Sequence, residues 1–244
     1  MDSSFKFKRF SVHNSASALK VGTDAVVLGA TMTLLTGDRR LLDAGTGTGV
    51  IALMAAQRLS DLAAAPFHID AVEIDPASAS EAAVNFAESP WADSMGVTTA
   101  DIRTFKPGGG TQDSRYDVIF SNPPFYDRSL VNPDEREKVA RHTESLSYRE
   151  LCAFAAENLV PGGRLSLILP AEEEKALVRT AASFGLKPFR MVRIRTTERK
   201  PFRRLVAEFR LDVFSPAPVE EELVLQNGTQ RTERYAALTK DFYL

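Results

Sequence analysis

The stretch RRLLDAGTGTGVIALMAAQRL, residues 39–59, decides the fold. Leu41 and Leu42 read as a short buried strand, Asp43 closes it, and Gly45, Gly47 and Gly49 turn tightly into a helix from about Val50 to Leu59. Strand, glycine loop and helix in that order bring backbone N–H groups and a helix N-terminus close to a ligand. The spacing G-x-G-x-G is one residue shorter than the dinucleotide fingerprint, and no lysine follows the loop as in a Walker loop. Asp43 at the strand end would repel a pyrophosphate lying there. A ligand with an amino group and a positive centre is favoured instead.

The pattern recurs outward from this stretch. HIDAVEID, residues 68–75, is a second strand ending in acids, and Glu73 stands 24 residues beyond Gly49, close to where an acid binds a ribose diol. Asp75-Pro76 supplies the N-cap and first turn of the next helix, so Asp75 is structural and Glu73 the functional candidate. GVTTADI, residues 96–102, is a third strand that presents Asp101 at its end. YDVIFSNPPF, residues 116–125, is a fourth. Val118, Ile119 and Phe120 suit a strand buried on both faces, which stops at Asn122-Pro123-Pro124-Phe125. Consecutive prolines cannot donate to a sheet ladder, and Pro123 disfavours the α conformation at Asn122. The expected result is a stiff turn holding an amide and a ring in fixed relation, at the sheet edge where open α/β folds bind ligands.

Beyond it, Asp127 to Arg141 is polar and reads as a loop over the site. SYRELCAFAAENLVPGG is an amphipathic helix with Ser147 and Glu150 as a capping box, stopped at Pro161-Gly162-Gly163. Strand RLSLILP, a helix ended by Gly185, and strands LKPFRMVRIRTT and RRLVAEFRLD follow. This alternation predicts an α/β, Rossmann-like, doubly wound and mostly parallel seven-stranded sheet with helices on both faces. The sheet domain spans 38–213, with an N-terminal segment 1–37 (a short strand, then a helix capped by Thr23 or Asp24) packed on it. A C-terminal tail, 214–244, follows the break at Pro216 and Pro218 and contains the short strand ELVLQN.

Composition bounds the rest. Hydrophobic residues make up 44% and charged residues 25% of 244 positions, ordinary values for a globular protein. A net charge of −2 gives no global basic field, though local patches remain. Cys152 is the single cysteine, which excludes an internal disulfide and suits a reducing cytoplasm. Three scattered histidines give no metal-ligand spacing, so no metal is expected. No apolar run reaches membrane-spanning length and no signal-peptide core opens the chain, so no membrane is expected either and the location is read as cytoplasmic. Oligomeric state leaves no mark in the sequence.

Two segments mix rings or apolar residues with cations. Phe5, Phe7 and Phe10 alternate with Lys6, Lys8 and Arg9, a pattern that fits RNA stacking or an edge strand protected by charge. Arg193, Arg195, Arg199, Lys200, Arg203 and Arg204 gather positive charge at one end of a hairpin, which fits a phosphate backbone or a solvated surface.

Asp43, Glu73 and Asp101 at three successive strand ends would meet an amine, a ribose and an adenine amino group in turn. A ribose–adenine ligand carrying a sulfonium fits that trio better than a dinucleotide, and this ligand is S-adenosylmethionine. LDAGTGTG, AVEID, TADI and SNPPF, in this order, resemble the motifs of class I S-adenosylmethionine-dependent methyltransferases, in the branch that methylates amines through NPPY or NPPF. FKFKRF, LKVGTDAVVLGA, SPWA and SNPPFY extend the resemblance to bacterial enzymes that methylate N6 of the adenine beside the anticodon of a valine tRNA.

The resemblance implies cofactor contacts from Asp43, Gly45, Gly47, Gly49, Glu73, Ile74, Asp101, Ile102 and Asn122, and from Lys20, Gly22 and Thr23 in a matching segment with Asp24. It places Asn122, Pro123, Pro124 and Phe125 at the target amine, where the Asn122 oxygen and the Pro123 carbonyl accept its two N–H bonds and Phe125 stacks on an extruded base. Phe125 stands where many members carry Tyr. The motif also suits rRNA guanine-N2 and release-factor glutamine-N5 methyltransferases, so rRNA or a protein substrate stays open beside tRNA. A non-catalytic RNA-binding module on the same fold is the alternative from another class.

Overall fold

A computed structural model describes residues 4–17, 20–62, 66–110, 114–123, 146–211 and 217–244. In chain order the strands are β1 (Ser4–Lys6), β2 (Ser11–His13), β3 (Arg40–Ala44), β4 (His68–Glu73), β5 (Met95–Thr99), β6 (Tyr116–Ser121), β7 (Leu159–Pro170), β8 (Leu186–Arg195), β9 (Arg204–Leu211), β10 (Val219–Val224), β11 (Gln226–Asn227) and β12 (Gln230–Arg231). The helices are α1 (Thr23–Thr31), α2 (Val50–Asp61), α3 (Pro76–Ala87), α4 (Tyr148–Asn158), α5 (Glu174–Ala182) and α6 (Glu233–Thr239).

The central sheet runs β10-β8-β9-β7-β6-β3-β4-β5, and β9 alone opposes its neighbours. From β3 the chain steps outward through β4 to β5, then returns to β6 on the other side of β3. That reversal opens a crevice at the carboxyl ends of β3 and β6, the position where doubly wound sheets bind ligands. Side-chain alternation separates two apolar layers. Leu41, Ile69, Val118 and Phe120 pack with α1, α2 and α3, whereas Leu42, Val72, Ile119 and Leu167 pack with α4 and α5.

The sheet has eight strands where seven were expected. The additional one is β10, whose sequence VEEELV shows little apolar alternation. Its recruitment is electrostatic. Glu220 meets Arg193 at 3.0 Å, Glu221 meets Arg190 at 2.7 Å and Glu222 meets Arg195 at 3.0 Å, while Leu223 is buried. Two boundaries also shift. The N-cap of α1 is Gly22, because the Asp24 carboxylate accepts instead from Arg204 Nε at 2.6 Å. Helix α4 carries the expected Ser147–Glu150 capping box but ends at Asn158, and β7 starts at Leu159 opposite Tyr116 before shifting register to place Arg164 opposite Val118.

The N-terminal aromatics are core, not an RNA platform. Strands β1 and β2 form an antiparallel hairpin whose turn buries Phe7 and Phe10. Phe7 stacks on Phe10 at 4.6 Å and on Tyr243 at 6.2 Å, and Phe10 meets Trp91 edge-on at 5.9 Å. The Lys8 amide donates to the Phe242 carbonyl at 2.8 Å, so the hairpin and the residues after α6 share one cluster.

Candidate active site

The glycine loop starts where β3 ends. Gly45, Gly47 and Gly49 have φ of 73, 56 and 82°, a region that L side chains rarely adopt. Their reasons differ. A Cβ on Gly45 would meet no atom within 4 Å, so its backbone borders open space. A Cβ on Gly49 would overlap the Phe86 ring, so Gly49 allows α2 and α3 to approach. The structure therefore does not bring Gly49 into the cleft.

A cleft of about 150 Å³ lies over this loop, and the sequence candidates Gly45, Gly47, Glu73, Ile74, Asp101 and Ile102 line it. Asn122 and Pro123 form its far wall, joined to the loop side by the Ser121 hydroxyl, which donates to the Ala44 carbonyl at 2.6 Å. Pro124 and Phe125, and the Asp127–Arg141 loop, lie outside the described residues. Lys20, Gly22 and Thr23 are not among the lining residues. The Lys20 ammonium donates to the Asn14 and Ser15 carbonyls, Gly22 caps α1, and Thr23 lines a different cleft.

Each carboxylate has a distinct state. Glu73 accepts from Gly47 N and from Asp75 N, both at 2.9 Å, which fixes it under the loop with acceptor capacity left on both oxygens. Asp101 is clamped by Arg103, whose Nε lies 2.8 Å from Oδ2, and this hydrogen bonding holds the carboxyl below the usual carboxylate range. Asp43 is fully buried beneath the loop rather than among the lining residues. Its Oδ2 accepts from the Thr46 hydroxyl at 2.7 Å, and its Oδ1 has no hydrogen-bond partner within normal geometry among the described residues. Burial, opposed by the Thr46 bond and reinforced by the charge of Glu73, raises its pKa to about 7. Asn122 makes no side-chain hydrogen bond to another described residue, so its carboxamide stays available.

Sequence reasoning missed Ser17, Ser78, Arg103 and Leu146, which also line the cleft. Ser17 arrives through a buried anchor. Glu81 on α3 accepts from Ser15 N at 2.7 Å, Ala16 N at 2.8 Å and Ser17 N at 2.9 Å. Asn85, one turn further along α3, accepts from His13 N and donates to the Thr48 carbonyl, tying β2 to the glycine loop. Nothing local in SASEAAVNF marks these contacts, because the partners lie more than sixty positions upstream for Glu81. Arg103 was more legible, as a cation two residues past a strand-end acid.

These residues fit S-adenosylmethionine. The open backbone at Gly45 admits close approach, Glu73 suits a ribose diol, and the exposed Ile74 with buried Ile102 offers apolar surface for a base. A cationic ligand above the loop would favour the ionised form of Asp43, which burial otherwise disfavours. Among the described residues no group of three or more His, Cys, Asp and Glu could hold a metal ion, and no helix is long and apolar enough to cross a membrane.

Fold and cleft together define a class I S-adenosylmethionine-dependent methyltransferase. The chain belongs to the Methyltransferase small domain family, whose model matches residues 13–178. It is 37% identical to the tRNA1(Val) (adenine(37)-N6)-methyltransferase of Photobacterium profundum, over 100% of this chain and 99% of that one. It is 41% identical to the protein of the same name from Tolumonas auensis, over 99% of this chain and 97% of the other. Among solved structures, a predicted O-methyltransferase from Agrobacterium tumefaciens superposes with a TM-score of 0.64 at 18% identity, covering 90% of this chain and 96% of that one, which speaks to the fold.

Proposed function

We propose that the chain transfers the methyl group of S-adenosylmethionine to N6 of adenine 37 in a valine tRNA. The observation that carries this reading is the Asn122–Pro123 corner. It faces the glycine-loop cleft with a carboxamide that no described side chain or backbone group engages, in a chain similar over its full length to proteins of that name.

The chemistry explains the need for such a corner. S-adenosylmethionine, when bound, supplies an electrophilic methyl group on a sulfonium. The exocyclic amine of adenine is a poor nucleophile because its lone pair is conjugated with the ring. Asn122 Oδ1 and the Pro123 carbonyl each accept one N–H of that amine, which draws the nitrogen toward a tetrahedral shape and frees the lone pair. Pro123 is buried and its φ is fixed by its ring, so the carbonyl is held before substrate arrives. As the nitrogen–carbon bond forms, the methyl–sulfur bond breaks and the electron pair stays with sulfur as a neutral thioether. The nitrogen then carries one proton too many, which passes readily to water because its loss restores conjugation with the ring. Positioning and electrostatics supply the rate without a general base. A base inside a folded anticodon loop must be unstacked to reach the cleft. A tRNA substrate places the reaction in the cytoplasm.

The test is methyl transfer from labelled S-adenosylmethionine to total tRNA, rRNA and release factor in parallel, with mass spectrometry of the labelled product. N6-methyladenosine at position 37 of a valine tRNA is expected. Label on a guanine N2 or a glutamine N5 would overturn the assignment.

A further inference from the structure

A second, larger cleft of about 580 Å³ opens at the same edge of the sheet, between the N-terminus of α1, the β11–β12 hairpin and the ends of β7, β8 and β9. Among the described residues four arginines from three segments line it, Arg195, Arg203, Arg204 and Arg231, against a single lining carboxylate, Asp24. Two of these cations are already committed: Arg204 Nε to Asp24 at 2.6 Å, and Arg195 to Glu222 at 3.0 Å. The other two, Arg203 and Arg231, are exposed and have no carboxylate within ion-pair distance among the described residues. The Arg231 guanidinium lies 3.9 Å from the centre of the Tyr243 ring, a cation–π contact that uses none of its N–H donors.

Register places this cleft relative to the catalytic corner. Ser121, immediately before Asn122, pairs with Leu167 on β7, and the next residue, Ile168, lines the arginine cleft. Pro170 pairs with Arg204, and Arg204 with Ile194 of β8. At about 4.8 Å per strand, the cleft begins one strand from Asn122 and extends roughly 10–20 Å along the edge. A chain with a net charge of −2 has thus collected, beside the site that must admit a base, guanidinium groups that no described carboxylate neutralises. Fork-shaped donors on a wide polar cleft match phosphate oxygens.

We infer that this cleft is the docking site for the phosphodiester backbone of the RNA whose base enters the Asn122 corner, with Arg203 and Arg231 as its phosphate contacts. The inference rests on the proposed tRNA substrate and adds where that tRNA is held. It also separates these two arginines from Arg193, Arg195 and Arg204, whose charges serve the fold.

The experiment compares equilibrium binding of an unmodified valine tRNA transcript to the wild-type chain, to Arg203→Ala/Arg231→Ala and to Arg39→Glu, over a series of salt concentrations. The double variant and the control each lower the net charge by two, but Arg39 sits beside β3 at the opposite edge of the sheet. The double variant should bind about 10-fold or more weakly at physiological salt, with a salt slope shallower by about 2. Arg203→Lys/Arg231→Lys should keep most of the affinity, and Arg39→Glu should stay near wild type. Unchanged affinity in the alanine pair overturns the inference, as does an equal loss in the Arg39→Glu control, which would mean a diffuse field. A site for small anions instead of RNA would give that first, unchanged result. Methyl transfer by the wild-type chain is read separately: absence of transfer to tRNA overturns the proposed activity, whereas binding that depends on the two arginines sustains the docking site.

Discussion

Asn122 carries the chemistry, and its replacement by Ala removes one of the two acceptors that reshape the amine. We expect methyl transfer to fall at least ~100-fold, since a single oriented polar contact to developing charge is typically worth that much. Cofactor affinity, measured by calorimetry, should change only a few-fold because the loop and Glu73 are untouched. Asp43 makes a different prediction. Its carboxyl has an ordinary value of 3.8 and is raised to about 7 in the folded chain, so the folded state retains a proton that the unfolded state has lost between those values. Stability without ligand should therefore fall as pH rises through that window and stay lower above it. Asp43→Asn should flatten this dependence and raise the melting temperature at pH 8, while weakening S-adenosylmethionine binding; a variant less stable than wild type at pH 8 would contradict it.

At the scale of elements, α3 holds both the glycine loop and the N-terminal segment. Glu81 is the anchor: burial would raise its pKa, but the N–H groups of Ala16, Ser17 and Ser15 outweigh this and leave it below its ordinary 4.5. A depressed carboxylate stabilises the fold above its unfolded value and loses that contribution as pH falls through the folded one. Glu81→Gln should thus lower the melting temperature at pH 7, and the gap from wild type should narrow as pH drops below 4.5. Gly49→Ala tests the α2–α3 contact. A methyl group there meets the Phe86 ring on a backbone with φ of 82°, and we expect a loss on the order of 3 kcal/mol in denaturant unfolding.

Much of this was legible in the chain, for local reasons. Asp43, Glu73 and Asp101 could be read as strand-end acids because each follows a short apolar or β-branched run, and for Asp43 and Glu73 a glycine or proline soon after confirms where the strand stops. The Ser147–Glu150 capping box is likewise written within four residues. What escaped was decided by distant partners. Whether Phe7 and Phe10 were a platform or a core depended on Tyr243 and Trp91, and VEEELV joins the sheet because arginines 27 and 31 positions earlier answer its glutamates. Asp24 looked like a cap until Arg204, 180 positions away, took its carboxylate.

At the scale of the whole molecule, the aromatic cluster joins opposite ends of the described chain. Phe5 and Phe7 pack on Tyr243, the Lys8 amide meets the Phe242 carbonyl, and Gln57 of α2 donates to the Asp241 carbonyl. At about 5–20 residues per second a ribosome delivers these partners some tens of seconds apart, first the hairpin and last the ring that covers it. The parallel sheet can assemble while synthesis continues, but the strap that carries Ser17 to the methyl-donor crevice has its outer cover only after Tyr243 has emerged. A protein shortened after Gly228 should accordingly keep its sheet by circular dichroism yet be cut by trypsin at Lys6, Lys8 and Arg9 faster than the intact chain. Calorimetry on that shortened protein should show weaker binding of S-adenosylmethionine than the intact chain, and equal affinity would mean that the crevice forms without its distant cover.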